Sequence, residues 1–384
     1  MTSMQDKKYD VTICGAGVAG VAAALASARR GMKTLLIEKT TQPGGLATGG
    51  LVLVYLPLCD GNGNQMISGI SEELLLLSNQ YGPQDPNPDW IKGKGRYITR
   101  FSPASFVLAM DELLENAGVD VWLDTVLIKA EKQNDRLTSI TVSNKSGLLT
   151  IESKLFIDAT GDADILHLAG HTCNVSENSM VLWTVEYNET ASKSSNDLNA
   201  HLHTAIHADP LENVYTREPL SGKMVTDFIL EGRRRYRNLL KKEYAEQTAT
   251  RKTHFPVTLQ TVPPIRKGRC INGLFTMTDD SVFQTVEDPI GVIGDWRTEK
   301  KQWQIPYRAL LPVDTTGVLA AGRCISAIGD AWEATRVIPV AALTGEVAGT
   351  AAALSLRHNC LPHELPYSVL QKELKEVNGF RLDY

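Results

Sequence analysis

The chain has 384 residues, with 39 Lys and Arg against 44 Asp and Glu, and a formal net charge of −5. Hydrophobic residues make up 43% and charged residues 22%, ordinary globular values that argue against a disordered, collagenous or membrane-spanning chain. The length exceeds what one hydrophobic core usually serves, so we expect two structural units that can interrupt one another in sequence. The mildly acidic balance offers no general attraction to nucleic acid or anionic lipid.

The six cysteines are scattered, and no two of them form a CxxC pair. This spacing argues against a dithiol redox centre, a cysteine-rich zinc site and an iron–sulfur cluster, so we expect reduced thiols and a cytoplasmic protein. The alternative is a cleaved signal peptide, because Lys7 and Lys8 precede an apolar run that ends in Ala-Ser-Ala at residue 28. Glycines at 15, 17 and 20 disfavour it, since each costs up to about 1 kcal/mol in a helix interior.

A glycine-rich turn follows a predicted buried strand at residues 9–14. It opens an alanine-rich helix and has the GxGxxG pattern: Gly15, Ala16, Gly17, Val18, Ala19 and Gly20. The first glycine permits a tight turn, the second lets backbone N–H groups approach a pyrophosphate, and the third lets the helix pack on the strand. A second strand at 33–37 ends at Glu38, where an acid is expected to bind a ribose 2′-hydroxyl. This order favours a dinucleotide-binding α/β fold over a glycine turn without ligand.

A second glycine cluster begins directly after Glu38, at residues 39–50. NAD-dependent enzymes have no general need for it, whereas the chain of a flavoprotein passes close to the pyrophosphate and ring of FAD. With these motifs the sequence resembles the two-dinucleotide-fold, glutathione-reductase-like FAD-dependent oxidoreductases, and more narrowly the members that carry GGxAT at this position. The resemblance implies FAD as cofactor, contacted by the GxGxxG turn, by Glu38 and by these residues of the second cluster: Lys39, Gly44, Gly45, Leu46, Ala47 and Thr48.

The resemblance continues through the middle of the chain. A helix at 102–118 and a strand at 119–123 precede three short strands, which the resemblance places as a β-meander on the FAD domain: 127–130, 137–142 and 148–151. A buried strand from residue 155 then enters an Ala-Thr-Gly-Asp turn. In such flavoproteins this turn passes near the dinucleotide, which implicates Gly161 and Asp162; the alternative is a tight turn without ligand contact.

A third matching block lies near the C-terminus, where residues 305–312 lead to a strand at 317–321. Many FAD proteins have a Gly-Asp pair after this strand, but this chain has Gly322 and Arg323. We therefore expect backbone groups from Arg323 to Ser326 to reach the ribityl chain. The resemblance also implies that the small-residue helix after Val337 and Ile338 points its positive N-terminus at the flavin pyrimidine edge.

No second GxGxxG occurs between residues 168 and 305, so the NAD(P)H domain of a disulfide reductase is not expected there. The segment contains a strand at 180–187, a long helix at 223–247 and a returning strand at 257–261, which predict an inserted α+β substrate or cap domain. The predicted division is a discontinuous Rossmann-like FAD-binding domain with a parallel central sheet (1–167 and 306–356), the insert (168–305) and a C-terminal tail packed on the surface (357–384).

Two arginines are the candidate catalytic residues. Arg266 lies where family members commonly return a strand to the flavin, and Arg336 comes three residues before Pro339. Either could hold an anionic substrate or polarise a carbonyl group; the alternative for Arg266 is a surface salt bridge. Cys59 lies beyond the second glycine cluster and could approach the ring, but an inert thiol is the favoured interpretation.

Other motifs are interpreted as structural. The basic residues of helix 223–247 alternate with acidic and apolar ones, which favours a solvated helix face over a nucleic-acid patch. His203 and His207 are four apart on a possible helix but lack the HExxH pattern, so no metal site is expected. His167 and His171, also four apart, are interpreted in the same way.

The leading functional hypothesis is hydride transfer between flavin N5 and a small organic substrate beneath the insert, with an external electron donor or acceptor. The alternatives are a non-catalytic electron-transfer subunit and a flavin-dependent monooxygenase or halogenase, the last because residues 303–306 resemble part of a halogenase signature. No nucleic-acid or membrane partner is expected, and the oligomeric state is left open.

Overall fold

The computed structural model of the protein describes residues 8–60, 64–82, 98–176, 181–189, 197–199, 202–208 and 220–384. The helices in these ranges are α1 (Val18–Arg29), α2 (Ile70–Leu77), α3 (Pro103–Asn116), α4 (Asp164–Leu168), α5 (Gly222–Ala245), α6 (Gly329–Thr335), α7 (Ile338–Arg357) and α8 (Tyr367–Glu376). The strands are β1 (Tyr9–Cys14), β2 (Thr34–Ile37), β3 (Val54–Tyr55), β4 (Thr99–Arg100), β5 (Asp120–Trp122), β6 (Val126–Gln133), β7 (Arg136–Asn144), β8 (Gly147–Asp158), β9 (Cys173–Val175), β10 (Val181–Asn188), β11 (Asp197–Asn199), β12 (Leu202–Ala208), β13 (His254–Leu259), β14 (Arg269–Ile271), β15 (Pro289–Gly294), β16 (Gln302–Pro306) and β17 (Val318–Ala320).

A parallel sheet with the strand order β5-β2-β1-β8-β17 forms the centre of the molecule. Val11 and Ile13 of β1 are fully buried, as expected for a strand covered on both faces. The antiparallel strands β6 and β7 extend the sheet as a meander through β8. The predicted α/β class, with a parallel sheet and a meander, is confirmed.

Strand β8 is longer than expected, because two predicted strands form one. Residues 147–152 pair with β7, and residues 153–158 pair with β1 and, near the end, with β17. The polar run Glu152-Ser153-Lys154 separates the two apolar stretches in sequence. Glu152 and Lys154 are exposed where the strand passes from the meander into the buried sheet, so polar residues are compatible with a continuous strand there.

Small residues bring α1 and α7 into direct contact with each other. A Cβ atom on Gly345 would overlap the carbonyl oxygen of Ala19, and one on Gly349 would overlap that of Ala23. Both helices are therefore almost entirely buried. Among the described residues, α7 alone has the length and the apolar composition of a membrane-spanning helix. However, 89% of its apolar stretch is buried inside the protein.

The insert contains a four-stranded antiparallel sheet with the order β11-β12-β10-β13, and α5 packs on it through Tyr236 and Leu240 against Leu182 of β10. This small cluster is separate from the main core. The possible helix at His203 and His207 is not present, since both residues belong to β12. The segment includes the β-branched Thr204 and Ile206, which favour a strand. His201 lies outside the described residues.

The C-terminal tail contributes Leu370, Leu374, Phe380 and Leu382 to the main core. It is joined to α7 through Glu346, whose carboxylate accepts hydrogen bonds from the backbone N–H of Ile70, at 2.7 Å, and from the amide of the tail residue Asn378. The same carboxylate therefore accepts a hydrogen bond from a backbone N–H in the first turn of α2 and attaches the C-terminal tail to α7.

The buried Glu346 predicts a pH dependence of stability. Burial raises the pKa of this carboxyl from 4.5 to about 7. The folded protein holds a proton that the unfolded chain releases, so this contribution to stability is present at low pH and is lost as the pH rises through that window. We expect Glu346→Gln to remove about 3 kcal/mol of pH dependence. Urea unfolding near pH 5 and near pH 8 measures it, with the exposed Glu376→Gln as control; equal pH slopes in parent and Glu346→Gln would contradict the assignment.

Candidate functional site

A cavity of about 340 Å³ opens where the carboxyl ends of β1, β2, β8 and β17 meet at one edge of the parallel sheet. Ligands of α/β proteins bind at this edge, and the volume is within the range of small-molecule sites. The predicted residues that line the cavity are Gly15, Gly17, Val18, Ala19, Glu38, Lys39, Gly44, Gly45, Leu46, Ala47, Gly161, Asp162, Gly322, Arg323, Arg336 and Ile338. The fold thus brings all three sequence blocks to one place.

Six predicted residues do not line this cavity: Ala16, Gly20, Thr48, Val337, Ser326 and Arg266. Two of them, Thr48 and Ser326, make hydrogen bonds within the protein instead. The Thr48 hydroxyl donates to the carbonyl oxygen of Pro43 at 2.6 Å, and the Ser326 hydroxyl accepts from the N–H of Gly273 at 3.0 Å. These two hydroxyls therefore stabilise the chain around the cavity.

The turn after β1 has the geometry of an anion site. Gly15 has a φ of +95°, and a Cβ there would lie 2.5 Å from the carbonyl oxygen of Ala159, so only glycine fits. At Gly17 a Cβ would meet nothing within 4 Å. Gly17 is also the N-cap of α1, which has neither a side-chain cap nor an acidic residue in its first turn. The positive end of α1 is thereby presented to the cavity.

Glu38 joins the two loops that form one end of the cavity. Its carboxylate accepts a hydrogen bond from the N–H of Ala16 at 2.7 Å and another from the N–H of Thr40 at 2.9 Å. Only 6% of Glu38 is exposed. The acid is thus held in one orientation at the tip of β2, the position expected for a ribose-binding carboxylate.

Asp162 and Arg323 face one another across the ends of β8 and β17, with Nη2 of Arg323 donating to Asp162 at 2.8 Å. Asp162 Oδ1 and Arg323 Nε are buried and have no hydrogen-bond partner in the described part of the chain. An unpaired buried polar group costs about 1–3 kcal/mol. The pair lines the main cavity and therefore suits a polar ligand that supplies both a donor and an acceptor.

Asp158 shapes the neighbouring turn rather than the cavity. Its carboxylate accepts from the N–H of Thr160 at 3.2 Å and from that of Leu166 at 3.1 Å. Burial raises the pKa of Asp158 to about 6. Burial likewise raises the pKa of the Cys14 and Cys324 thiols far above the ordinary value, so both remain protonated near neutral pH.

The first turn of α7 separates the main cavity from a second, narrow one of about 20 Å³. Arg336 and Ile338 line the main cavity, whereas Val337 and Pro339 line the narrow one together with Cys59. Cys59 therefore lies close to the N-terminus of α7, and it is buried.

The upper wall of the main cavity, its roof, comes from residues 220–269 of the predicted cap; its individual lining residues were not predicted. Its residues are Leu220, Ser221, Gly222, Val225, Val262, Pro263, Ile265 and Arg269; the sheet side adds Ala159, Thr160, Asp164, Ala321 and Ala341. Two hydrogen bonds fix the roof to the second glycine cluster: Thr261 N–H donates to Gly49 at 2.8 Å, and the Gln260 amide donates to Gly50 at 2.7 Å. Ser221 caps α5 by accepting from Met224 N–H, a local signal that could have placed the start of this helix at the cavity.

Histidines do not form a metal site in the described residues, which contain no group of three or more His, Cys, Asp or Glu side chains suited to an ion. His171 is structural, as interpreted: its ring pairs with Asp314 and accepts from the N–H of Asn272 at 3.1 Å.

Comparisons with known proteins agree with this geometry. Among curated proteins, digeranylgeranylglycerophospholipid reductase of Picrophilus torridus is 28% identical over 188 residues, which cover 47% of this chain and 46% of that protein. The Thermoplasma acidophilum reductase of the same name is 26% identical over 160 residues, covering 40% of this chain and 39% of that protein. The matched region is thus less than half the length of these relatives.

Solved structures share the fold. A p-nitrophenol 4-monooxygenase from Pseudomonas putida has a TM-score of 0.54 at 13% identity, covering 97% of this chain and 87% of that one. A geranylgeranyl bacteriochlorophyll reductase-like protein from T. acidophilum has a TM-score of 0.51 at 14% identity, covering 96% and 84%. The family model described as FAD dependent oxidoreductase matches residues 10–182 and 176–374. The chain therefore belongs to the FAD-dependent oxidoreductase family, and it is an enzyme whose cofactor is FAD.

Proposed function

We propose that the protein transfers hydride between flavin N5 and a small organic substrate bound beneath the insert, and that it exchanges electrons with an external partner. The observation that carries this proposal is the composition of the main cavity. One wall consists of the dinucleotide-binding turns of the sheet, and the opposite wall is the start of α5 with residues 262–269. A ligand between these walls contacts both units at once.

The geometry of the cavity supports an assignment of the cofactor-binding residues. Glu38 is placed to bind the adenosine ribose, and the uncapped N-terminus of α1 at Gly17 is placed to bind the pyrophosphate. Asp162 and Arg323 offer a buried acceptor and a buried donor to polar groups of the cofactor. The N-terminus of α7 favours negative charge at the flavin pyrimidine edge. When bound, FAD supplies the two-electron redox chemistry.

An external electron partner is favoured by the rest of the chain. The described part of the insert is an antiparallel sheet with one long helix, which differs from the parallel fold of an NAD(P)H domain. Burial raises the pKa of Cys173 to about 12 and that of Cys270 to about 11, so neither supplies a thiolate near neutral pH. Electrons therefore enter or leave through a separate donor or acceptor.

Anaerobic mixing of the FAD-loaded protein with candidate substrates tests the proposal. We expect one substrate class to bleach the flavin, and a Val225→Phe variant to slow bleaching because the larger side chain narrows the cavity. Leu230→Phe on the exposed face of α5 is the matched control. Dithionite should reduce the flavin of the parent, of Val225→Phe and of Leu230→Phe equally well.

Two outcomes would overturn the proposal. Reduction by a protein donor but by no small molecule would indicate an electron-transfer subunit. An oxygenated product formed only in the presence of air would indicate a monooxygenase.

A further inference from the structure

We propose that the substrate carries a carboxylate, and that Arg336 binds it beside the first turn of α7, with Arg266 adding positive charge nearby. This inference rests on the proposed function and names the substrate class for it. The residues that carry it are Arg266, Lys267 and Arg336 around Glu333, which we call the α7 cation cluster.

The cluster is organised by Glu333. Nε of Arg336 donates to Glu333 Oε2 at 2.8 Å, and Lys267 Nζ lies 2.9 Å from Oε1. The three side chains are only 13%, 21% and 19% exposed for Arg336, Lys267 and Glu333. Burial opposes the charge on Glu333, but Arg336 and Lys267 still lower the pKa of its carboxyl. Glu333 is therefore ionised, and one carboxylate serves to hold two cations in place.

Arg336 is held in a fixed orientation at the cavity wall. Its guanidinium carbon lies 6.0 Å from the centre of the Trp296 ring, and Trp296 Nε1 in turn donates to the carbonyl oxygen of Glu333 at 3.2 Å. Within the described residues, Nη1 of Arg336 makes no hydrogen bond, since its bonds use Nε and Nη2. A positioned guanidinium with donors left over is suited to a planar carboxylate.

Arg266 adds a second cation next to the first. It directly follows Ile265, which lines the main cavity. Burial, and then the positive charge of Arg336, lower the pKa of Arg266 to about 10, even though Glu333 acts in the opposite direction. The two arginines repel one another in a partly buried site, and an anion between them would relieve that repulsion.

The surroundings reinforce the positive charge. The N-terminus of α7 has neither a side-chain cap nor an acidic residue in its first turn. The other carboxylate of α6, that of Asp330, pairs with Arg297 and Lys301. A surface salt bridge, the simpler alternative for these arginines, does not account for three cations gathered around one carboxylate at a cavity wall.

The test titrates the FAD-loaded protein with formate, acetate and benzoate, each matched by its neutral amide, and follows the visible flavin spectrum. We expect a saturable change with at least one carboxylate and none with its amide. Arg336→Gln should raise the dissociation constant about 10- to 100-fold, and Arg266→Gln should raise it by a smaller factor. Arg336→Lys should restore part of the loss. Arg308→Gln, which removes a cation that lines neither cavity, should change nothing.

Three results would overturn the inference. The first is that no carboxylate perturbs the flavin; the second is that carboxylates and amides bind equally. The third is that both Gln variants bind the carboxylate with the affinity of the parent while their flavin midpoint potential shifts. That result would show that the positive charge of the cluster acts on the pyrimidine edge of the flavin and not on the substrate. The titration measures binding and needs no turnover, so it still gives a result if no substrate bleaches the flavin. The proposal of hydride transfer and the proposal of a carboxylate site can therefore fail separately.

Discussion

The Gly17→Ala variant should fold as the parent does but lose most of its FAD. Its added Cβ meets no protein atom within 4 Å, and the φ of −60° at this position is accessible to any residue. The methyl group would instead occupy the space where the pyrophosphate must approach α1. A steric cost of about 1–3 kcal/mol corresponds to roughly 10- to 100-fold weaker FAD binding.

Gly20→Ala is the comparison variant for Gly17→Ala, because the Cβ added at Gly20 would overlap the carbonyl oxygen of Gly15. We expect this variant to lose both FAD and folding stability. Flavin content after purification, FAD titration of the apoprotein and urea unfolding separate the two effects. If Gly17→Ala binds FAD with the affinity of the parent, the pyrophosphate does not lie at this turn.

The second large effect is expected at the contact between α1 and α7. In Gly345→Ala the new Cβ would overlap the carbonyl oxygen of Ala19, a backbone atom that cannot rotate away. One of the two helices must shift, at a cost of about 1–3 kcal/mol or more. Because Ala19 also lines the main cavity, FAD affinity should fall together with stability.

A matched control for Gly345→Ala is Gly222→Ala at the start of α5, where a Cβ meets nothing within 4 Å. This substitution should leave the unfolding midpoint unchanged or slightly raised, since Ala is the better helix former. Differential scanning calorimetry of both variants makes this comparison, and FAD titration is applied to Gly345→Ala alone because Gly222 lines the main cavity. Equal midpoints for the two would contradict close packing between α1 and α7.

The parts of the fold that follow local rules could be predicted from the sequence. The turn from Gly15 to Gly20 and the acid Glu38 depend on short spacings, and both were placed correctly relative to the sheet. The possible helix at His203 and His207 rested on a spacing of four, and both residues lie in strand β12 instead. A spacing between two residues does not by itself distinguish a helix from a strand.

The contacts that complete the site were beyond a sequence argument. Arg323 could be recognised as a departure from the usual Gly-Asp pair, but its partner Asp162 lies in the turn after β8, 161 positions away. The grouping of Lys267 with Glu333 likewise depends on how the insert returns to α7. Such pairs are produced by the topology, and no local spacing records them.

The hydrogen bonds from Gln260 and Thr261 to Gly50 and Gly49 have a consequence for protein engineering. They join positions more than 200 residues apart and use backbone carbonyls of the loop that follows the predicted cofactor residues. A shortened chain in which a flexible linker replaces the insert would leave those carbonyls without their donors. The part of this enzyme that contains the parallel sheet is therefore a poor starting point for a minimal flavin-binding protein. An exchange of whole inserts between relatives must preserve these two hydrogen bonds.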